Sequence, residues 1–363
     1  MGEVTIVGGG FSAYLAKLLL GERVTILCGT DFINLGPNQI QRRRVFEVNK
    51  LFGKKSYSAT KLKPSIKKLK LHDRLINGGN SNIWGGVIDA SDLPRPIIEA
   101  LNKSGVTLQP LSFKKTGSIS SKSQFAQLLD SSGRILDVSK YFQGRTNHFL
   151  ESFFMDGDRI GLRIVQTGDH ALRKTIYTKQ LIICTGVVQT IDLLYRSGFI
   201  NEGDKLTLCE FGHQISITPT FHLEKFKITG NKAIVRFDIV RAICHFLGIQ
   251  KKLWLSNLTR YIPIYVDQIF LKGRSKYMLQ VINGNLIDLP SDLNLDSLLS
   301  PAYGSSIHYC NLEINAINAN QYLQSIGAGL IGIGMAFVDQ KEPGPISNDI
   351  IQDAVRKLSP DHI

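Results

Sequence analysis

The sequence predicts an α/β chain, with a first domain led by a βαβ unit and carrying a β-meander, and a second, smaller domain built on a β-sheet. Three observations predict it. The opening residues read strand, glycine turn, helix, strand; residues 158–184 alternate as a meander does; and residues 206–289 are rich in β-branched and aromatic residues at strand spacing. At 363 residues, 43% of them hydrophobic and 20% charged, the chain has room for one or two cores, and a collagenous, mucin-like or wholly disordered chain is excluded. The expected division is 1–112 and 113–205 for the first domain and its meander, 206–300 for the second, and 301–363 for a return to the first.

The opening unit runs Val4 to Val7 as a strand, Gly8-Gly9-Gly10 as a turn, Ser12 to Leu20 as a helix and Arg23 to Leu27 as a strand. Within it, Gly8-x-Gly10-x-x-Ala13 has the spacing of a dinucleotide fingerprint, so the first domain is expected to be Rossmann-like. Gly8 would permit the tight turn, Gly10 the close approach of backbone to a pyrophosphate, and Ala13 close helix packing, with Phe11 and Ser12 opening the helix toward the phosphates. A glycine turn that binds nothing is the plain alternative. The acidic residue expected after the second strand is absent: Cys28 stands there, with Asp31 three residues on, so either Asp31 swings back to the ribose or the ribose is held differently.

Residues 42–76 hold twelve Lys or Arg and two acidic residues, +10 of the chain's net +13. This stretch is either a solvated surface loop or a site for an anionic partner: a phosphorylated or carboxylated substrate, an acyl carrier protein, or an anionic membrane surface. No nucleic-acid-binding module accompanies the charge, so a nucleic-acid partner is not expected. The next segment, Asn77-Gly78-Gly79-Asn80-Ser81-Asn82-Ile83-Trp84-Gly85-Gly86, has too many glycines for regular core, and reads as backbone passing close to something flat or anionic, or as a plain double turn.

Further on, Ile160, Leu162 and Ile164, a turn at Gly168-Asp169, Thr175 to Thr178 and the apolar Leu181-Ile182-Ile183 read as successive meander strands. Val187 to Arg196 reads as a helix closed by Ser197-Gly198. Leu289 to Pro301 reads as a linker, the uncharged run Tyr322 to Val338 as a buried strand and turn, and Asp349 to Leu358 as a closing helix. No run reaches the roughly 20 apolar residues of a membrane span. Five widely spaced cysteines without a CxxC or Cys/His grouping suggest neither a disulfide scaffold nor zinc, and no signal-like leader precedes Val4, so a reducing, cytoplasmic setting is expected. No HExxH, Walker or Gly-x-Ser-x-Gly motif is present.

Three separated segments together resemble the glucose-methanol-choline flavoprotein oxidoreductases, in a short form. They are the glycine turn at Gly8 to Ala13, the segment Gly78 to Gly86, similar to that family's Gly-Gly-Ser-Ser continued to Trp-Gly-Gly, and LIICTGVVQTIDLLYRSG at Leu181 to Gly198. The resemblance implies FAD as cofactor, with Gly8, Gly10 and Gly78, Gly79, Asn80 and Ser81 at the pyrophosphate, Asn82 and Trp84 near the flavin, and Thr185 and Gly186 on the adenosine side. It also implies oxidation of a CH–OH group, or a related carbon centre, on a small-molecule substrate held by the second domain. Gly304-Ser305-Ser306-Ile307-His308 is similar to the approach to the family's catalytic histidine, although Cys310 and Asn311 replace a Gly-Thr continuation. Val338-Asp339, Pro343, Pro345 and Asn348 are similar to its closing strand, prolines and polar residue. The implied roles are His308 as base, because a histidine titrates near working pH, Asn348 as a hydrogen-bond partner of the substrate oxygen, and Asp339 on the cofactor. A chain that kept this fold but lost redox catalysis, serving as a binding or scaffold subunit, is the alternative; an NAD-dependent dehydrogenase is disfavoured by the two additional flavin-type segments.

Overall fold

The computed structural model describes residues 3–28, 86–110, 115–117, 124–142, 148–166, 172–216, 228–238, 261–272, 277–289, 305–338 and 348–358. The basic stretch 42–76, the glycine-rich segment Gly78 to Trp84, residues 290–301 of the linker and Asp339 lie outside them.

Strand β1 (Val4–Val7) is flanked by β2 (Val24–Leu27) on one side and β10 (Gln180–Ile183) on the other, and β18 (Leu330–Gly332) adds beyond β10. All pairings are parallel, with Ile6 opposite both Ile26 and Ile182. Such runs must be covered on both faces, and they are. Ile6, Ile26 and Ile182 pack on helices α1 (Phe11–Leu20), α2 (Arg95–Lys103) and α6 (Asn348–Leu358). Val7, Leu181 and Ile183 pack on the opposite layer, made of the meander β7 (His148–Asp156), β8 (Arg159–Gln166) and β9 (Arg173–Thr178) together with α4 (Val187–Arg196).

Two expectations are corrected here. Leu181-Ile182-Ile183 is not the last meander strand but the parallel β10, while the meander gains β7 upstream. The physical cause is burial: Leu181, Ile182 and Ile183 are all 0% exposed, which a one-faced antiparallel strand would not require. The run Tyr322 to Val338 likewise opens as helix, α5 (Ala319–Ile326), before β18. Asn318 caps that helix by accepting from the Asn320 backbone N–H at 2.9 Å, and Ala319 and Leu323 are buried on one face four residues apart.

Two further sheets complete the chain. β3 (Val87–Asp89), β6 (Phe125–Leu129) and β4 (Thr107–Pro110) form a three-stranded sheet beside α2 and the short α3 (Val138–Tyr141). The eight-stranded second sheet contains β11 (Lys205–Ser216), β12 (Ile228–Asp238), β13 (Tyr261–Lys272), β14 (Tyr277–Ile282) and β15 (Asn285–Asp288). It also recruits β5 (Lys115–Gly117) from before the meander and β16 (Ser305–Ile314) and β17 (Ile317–Asn318) from after the linker. Among the described residues after 300, β16 and β17 thus lie in the second sheet and β18 in the parallel one. β16 also bonds the loop leaving β18, through Asn311 N–H to Met335 O and Leu312 N–H to Ala336 O, both 2.9 Å.

A buried ion pair ties α4 to the meander. Arg196 Nε lies 2.9 Å from Asp192 Oδ2, with the side chains 12% and 3% exposed, and its Nη1 donates to the carbonyls of Leu150 and Glu151 at the bulge in β7. Replacing Arg196 by Leu leaves Asp192 buried without its cation and frees two carbonyls, so unfolding by denaturant is expected to become easier by about 3 kcal/mol. On the opposite layer Tyr14 is 1% exposed, its hydroxyl 3.3 Å from Ser104 Oγ and its ring edge-on to Tyr141. Burial pushes its phenol up to about 12 from 10.0. The folded chain therefore keeps this proton where the unfolded chain has lost it, so the contribution falls as pH rises through that window, by up to about 2 kcal/mol. Stability measured from pH 9 to 12 is expected to decline less steeply in Tyr14→Phe than in the parent.

Candidate functional site

The four parallel strands end on one edge, where the chain after β1 enters α1 on one face, toward β2, and the chain after β10 enters α4 on the other. This is the topological switch point at which open α/β sheets leave a crevice. The Gly8 to Gly10 turn sits in it. Gly8 N–H donates to Leu27 O at 3.0 Å and the Cys184 N–H to Val7 O at 2.8 Å, so the ends of β1, β2 and β10 are tied together at this point. Gly8 has φ +128°, and a Cβ there would stand 2.5 Å from the Cys184 carbonyl oxygen. Only glycine meets both conditions.

Gly10 caps α1 in an extended conformation, φ −95° and ψ −169°, with no side chain bonded to the helix start and no acidic residue in the first turn. Phe11 and Ala13 turn into the core at 5% and 0% exposure, which leaves half-buried Ser12 at the sheet edge. The first turn of α1 holds no acidic residue, so the positive end of the helix lies at the strand ends without a carboxylate from its own first turn.

The other strand ends close the crevice. After β10, Thr185 Oγ1 lies 3.0 Å from Thr190 Oγ1 and Gly186, at φ +77°, starts α4. Gln189 in its first turn is 6% exposed and its Nε2 has no hydrogen-bond partner among the described residues. After β18, Ile333 N–H donates to Ile183 O at 3.0 Å, and the chain turns at Gly334, φ +112°, where a Cβ would stand 2.5 Å from Ser12 Oγ. Lys357, from the last turn of α6, holds this end: its Nζ donates to Gly332 O and Asn320 Oδ1, both at 2.8 Å, and pairs with Asp353 Oδ2 at 2.6 Å. Burial lowers its ammonium below the usual lysine value, with Asp353 opposing, and burial raises the Cys184 thiol.

The structure therefore brings Gly8, Gly10, Phe11, Ser12, Ala13, Thr185 and Gly186 to one edge. Cys28, the residue after β2, is 7% exposed and packed in the helix-side core, where its thiol offers no carboxylate to a ribose. His308 lies in β16 directly opposite Phe211, in the strand bonded to the loop after Gly334, and Asn348 is the first residue of α6. Gly78, Gly79, Asn80, Ser81, Asn82, Trp84 and Asp339 lie outside the described residues. Gly334, Gln189 and Lys357 were not singled out by sequence reasoning. A Gly-x-Gly directly after an apolar run, at Gly332 and Gly334, was the available signal for the first; a lysine and a glutamine inside helices carry none.

No protein-family model matches the sequence, and no curated protein matches it. Among solved structures, NikD, described as an unusual amino acid oxidase essential for nikkomycin biosynthesis, is similar over 99% of this chain and 94% of its own, at 12% identity and a TM-score of 0.35. PyrE3, a Diels-Alderase in the biosynthetic pathway of pyrroindomycins, is similar over 99% of this chain, at 15% identity and a TM-score of 0.40, and this chain spans 66% of its length. A flavoprotein/dehydrogenase from Cytophaga hutchinsonii is similar over 98% of this chain and 76% of its own, at 11% identity and a TM-score of 0.37. Likenesses of this size decide neither family nor activity.

Replacing Gly8 by Ala is expected to cost roughly 2 kcal/mol or more, since it adds a backbone strain to a clash with a main-chain oxygen that no side-chain rotation relieves. Thermal or chemical unfolding of the variant checks this; a variant as stable as the parent contradicts the packing described.

Proposed function

We propose that the carboxyl edge of the parallel sheet holds FAD and that the chain is an FAD-dependent oxidoreductase acting on a small-molecule substrate. The observation that supports it most is the combination at the switch point: a Rossmann-like βαβ turn, with Gly8 tied to the strand ends, opening a helix capped by glycine and with no acidic residue in its first turn. The residues suit a dinucleotide. Backbone N–H groups of the first turn of α1 would hold the pyrophosphate, Ser12 and Gly334 would shape its far wall, and Thr185, Gly186 and the unpartnered amide of Gln189 would border the adenosine.

The choice of FAD over a nicotinamide dinucleotide rests on the resemblance of Gly78 to Gly86 and Leu181 to Gly198 to glucose-methanol-choline segments. FAD, when bound, supplies a hydride acceptor. The same resemblance supports a CH–OH substrate, with His308 taking the hydroxyl proton and Asn348 orienting the oxygen. The second reading is a binding or scaffold subunit on this fold without redox turnover, and buried Cys28 in place of a ribose-binding acid is the observation that favours it.

The visible spectrum of freshly purified protein, with identification of any cofactor released on denaturation, separates them. Flavin bands and released FAD are expected; a colourless protein that takes up no added FAD gives the scaffold reading first place. His308→Ala is expected to retain flavin and to lose turnover by about 100-fold or more. Full activity in that variant removes His308 from the reaction.

A further inference from the structure

The sequence spaces its cysteines far apart, yet the second sheet brings two of them together. In the antiparallel pairing of β11 with β16, Cys209 is directly opposite Cys310. The register shifts just beyond this pair, where Asn311 and Leu312 of β16 together face Leu208, with Asn311 at φ +55°. Directly opposed residues project to the same face, with Cα atoms about 4.5–5.5 Å apart, inside the roughly 4.4–6.8 Å that a disulfide spans. The Cys310 Sγ lies 4.0 Å from the Cys209 carbonyl oxygen, and the Asn311 amide donates to Cys209 Sγ at 3.6 Å, a bond that strengthens when the sulfur is charged. Cys209 is half-buried and Cys310 is 0% exposed.

We propose that Cys209 and Cys310 are a reversible oxidation site that closes to an intramolecular disulfide by exchange with a small disulfide such as glutathione disulfide. The order follows from access. The Cys209 thiolate attacks one sulfur of glutathione disulfide, forming a mixed disulfide and releasing one glutathione thiol. The Cys310 thiolate, opposite it, then attacks Cys209 Sγ and displaces the second. Two protein thiols are oxidised, one glutathione disulfide is reduced to two thiols, and the two protons leave on those thiols. The crosslink lies beside the bulge at Asn311, whose N–H holds the loop after Gly334, and two residues from His308, so oxidation stiffens the strand that joins the second sheet to the parallel-sheet edge.

The test is incubation of the full chain with glutathione disulfide, followed by thiol counting in denaturant and mass spectrometry of a non-reduced tryptic digest. The count is expected to fall by two from five, with peptide 206–225 joined to peptide 277–341, and to recover with dithiothreitol. Cys310→Ser is expected to stop at a persistent glutathione adduct on Cys209, and Cys209→Ser to leave Cys310 unmodified. A lasting adduct on Cys209 in the parent chain, a Cys209 crosslink to peptide 242–251 containing Cys244, or no change in thiol count overturns the proposal.

Discussion

Everything at the candidate site depends on the double parallel pairing of β1. Because β2 and β10 flank it in register and run the same way, the three strand ends share one edge, with α1 following β1 on one face and α4 following β10 on the other. Open α/β sheets leave a crevice at such a point, and the bonds from Gly8 N–H to Leu27 O and from Cys184 N–H to Val7 O tie the strand ends together there. Glycine at position 8 is imposed by this junction. Its missing Cβ accommodates the neighbouring strand end, a packing demand that precedes any demand from a ligand.

The same layered arrangement explains where polar groups are buried. A sheet covered on both faces leaves its helices little water, so charged residues in them are satisfied internally. Arg196 and Asp192 join α4 to the meander bulge, Lys17 reaches the carbonyl of Gly21 and the carboxylate of Glu22, and Lys357 clamps the end of β18. Two of these three are at the seams where a helix meets a strand end. Gln189 differs: its amide nitrogen is buried at the same edge with no partner among the described residues, and an unmet donor of this kind is costly unless something completes it.

Much of the parallel domain was legible in the sequence because its signals are local. β1 was delimited from Val4 to Val7, and the helix from Val187 to Arg196, because glycine and polar residues bound short apolar runs there. The glycine spacing likewise located the turn Gly8 to Gly10 and the helix α1 after it. What was not legible depends on tertiary pairing. Leu181-Ile182-Ile183 reads alike as a meander strand or a parallel strand until its second face is known to be covered. The transfer of β16 to the second sheet, and with it the meeting of Cys209 with Cys310 across a hundred residues, has no local signature. The burial of Cys28 and the role of Lys357 at Gly332 are of the same kind.

Backbone hydrogen exchange with and without added FAD tests the central claim most directly, because it reads the edge residues themselves. The account predicts slower exchange at Phe11 to Ala13, Cys184 to Gly186 and Ile333 to Gly334 when FAD is present, with the meander and the second sheet's β14 and β15 unchanged. FAD bound with no protection at Phe11 to Ala13, or protection confined to the second sheet, would contradict it.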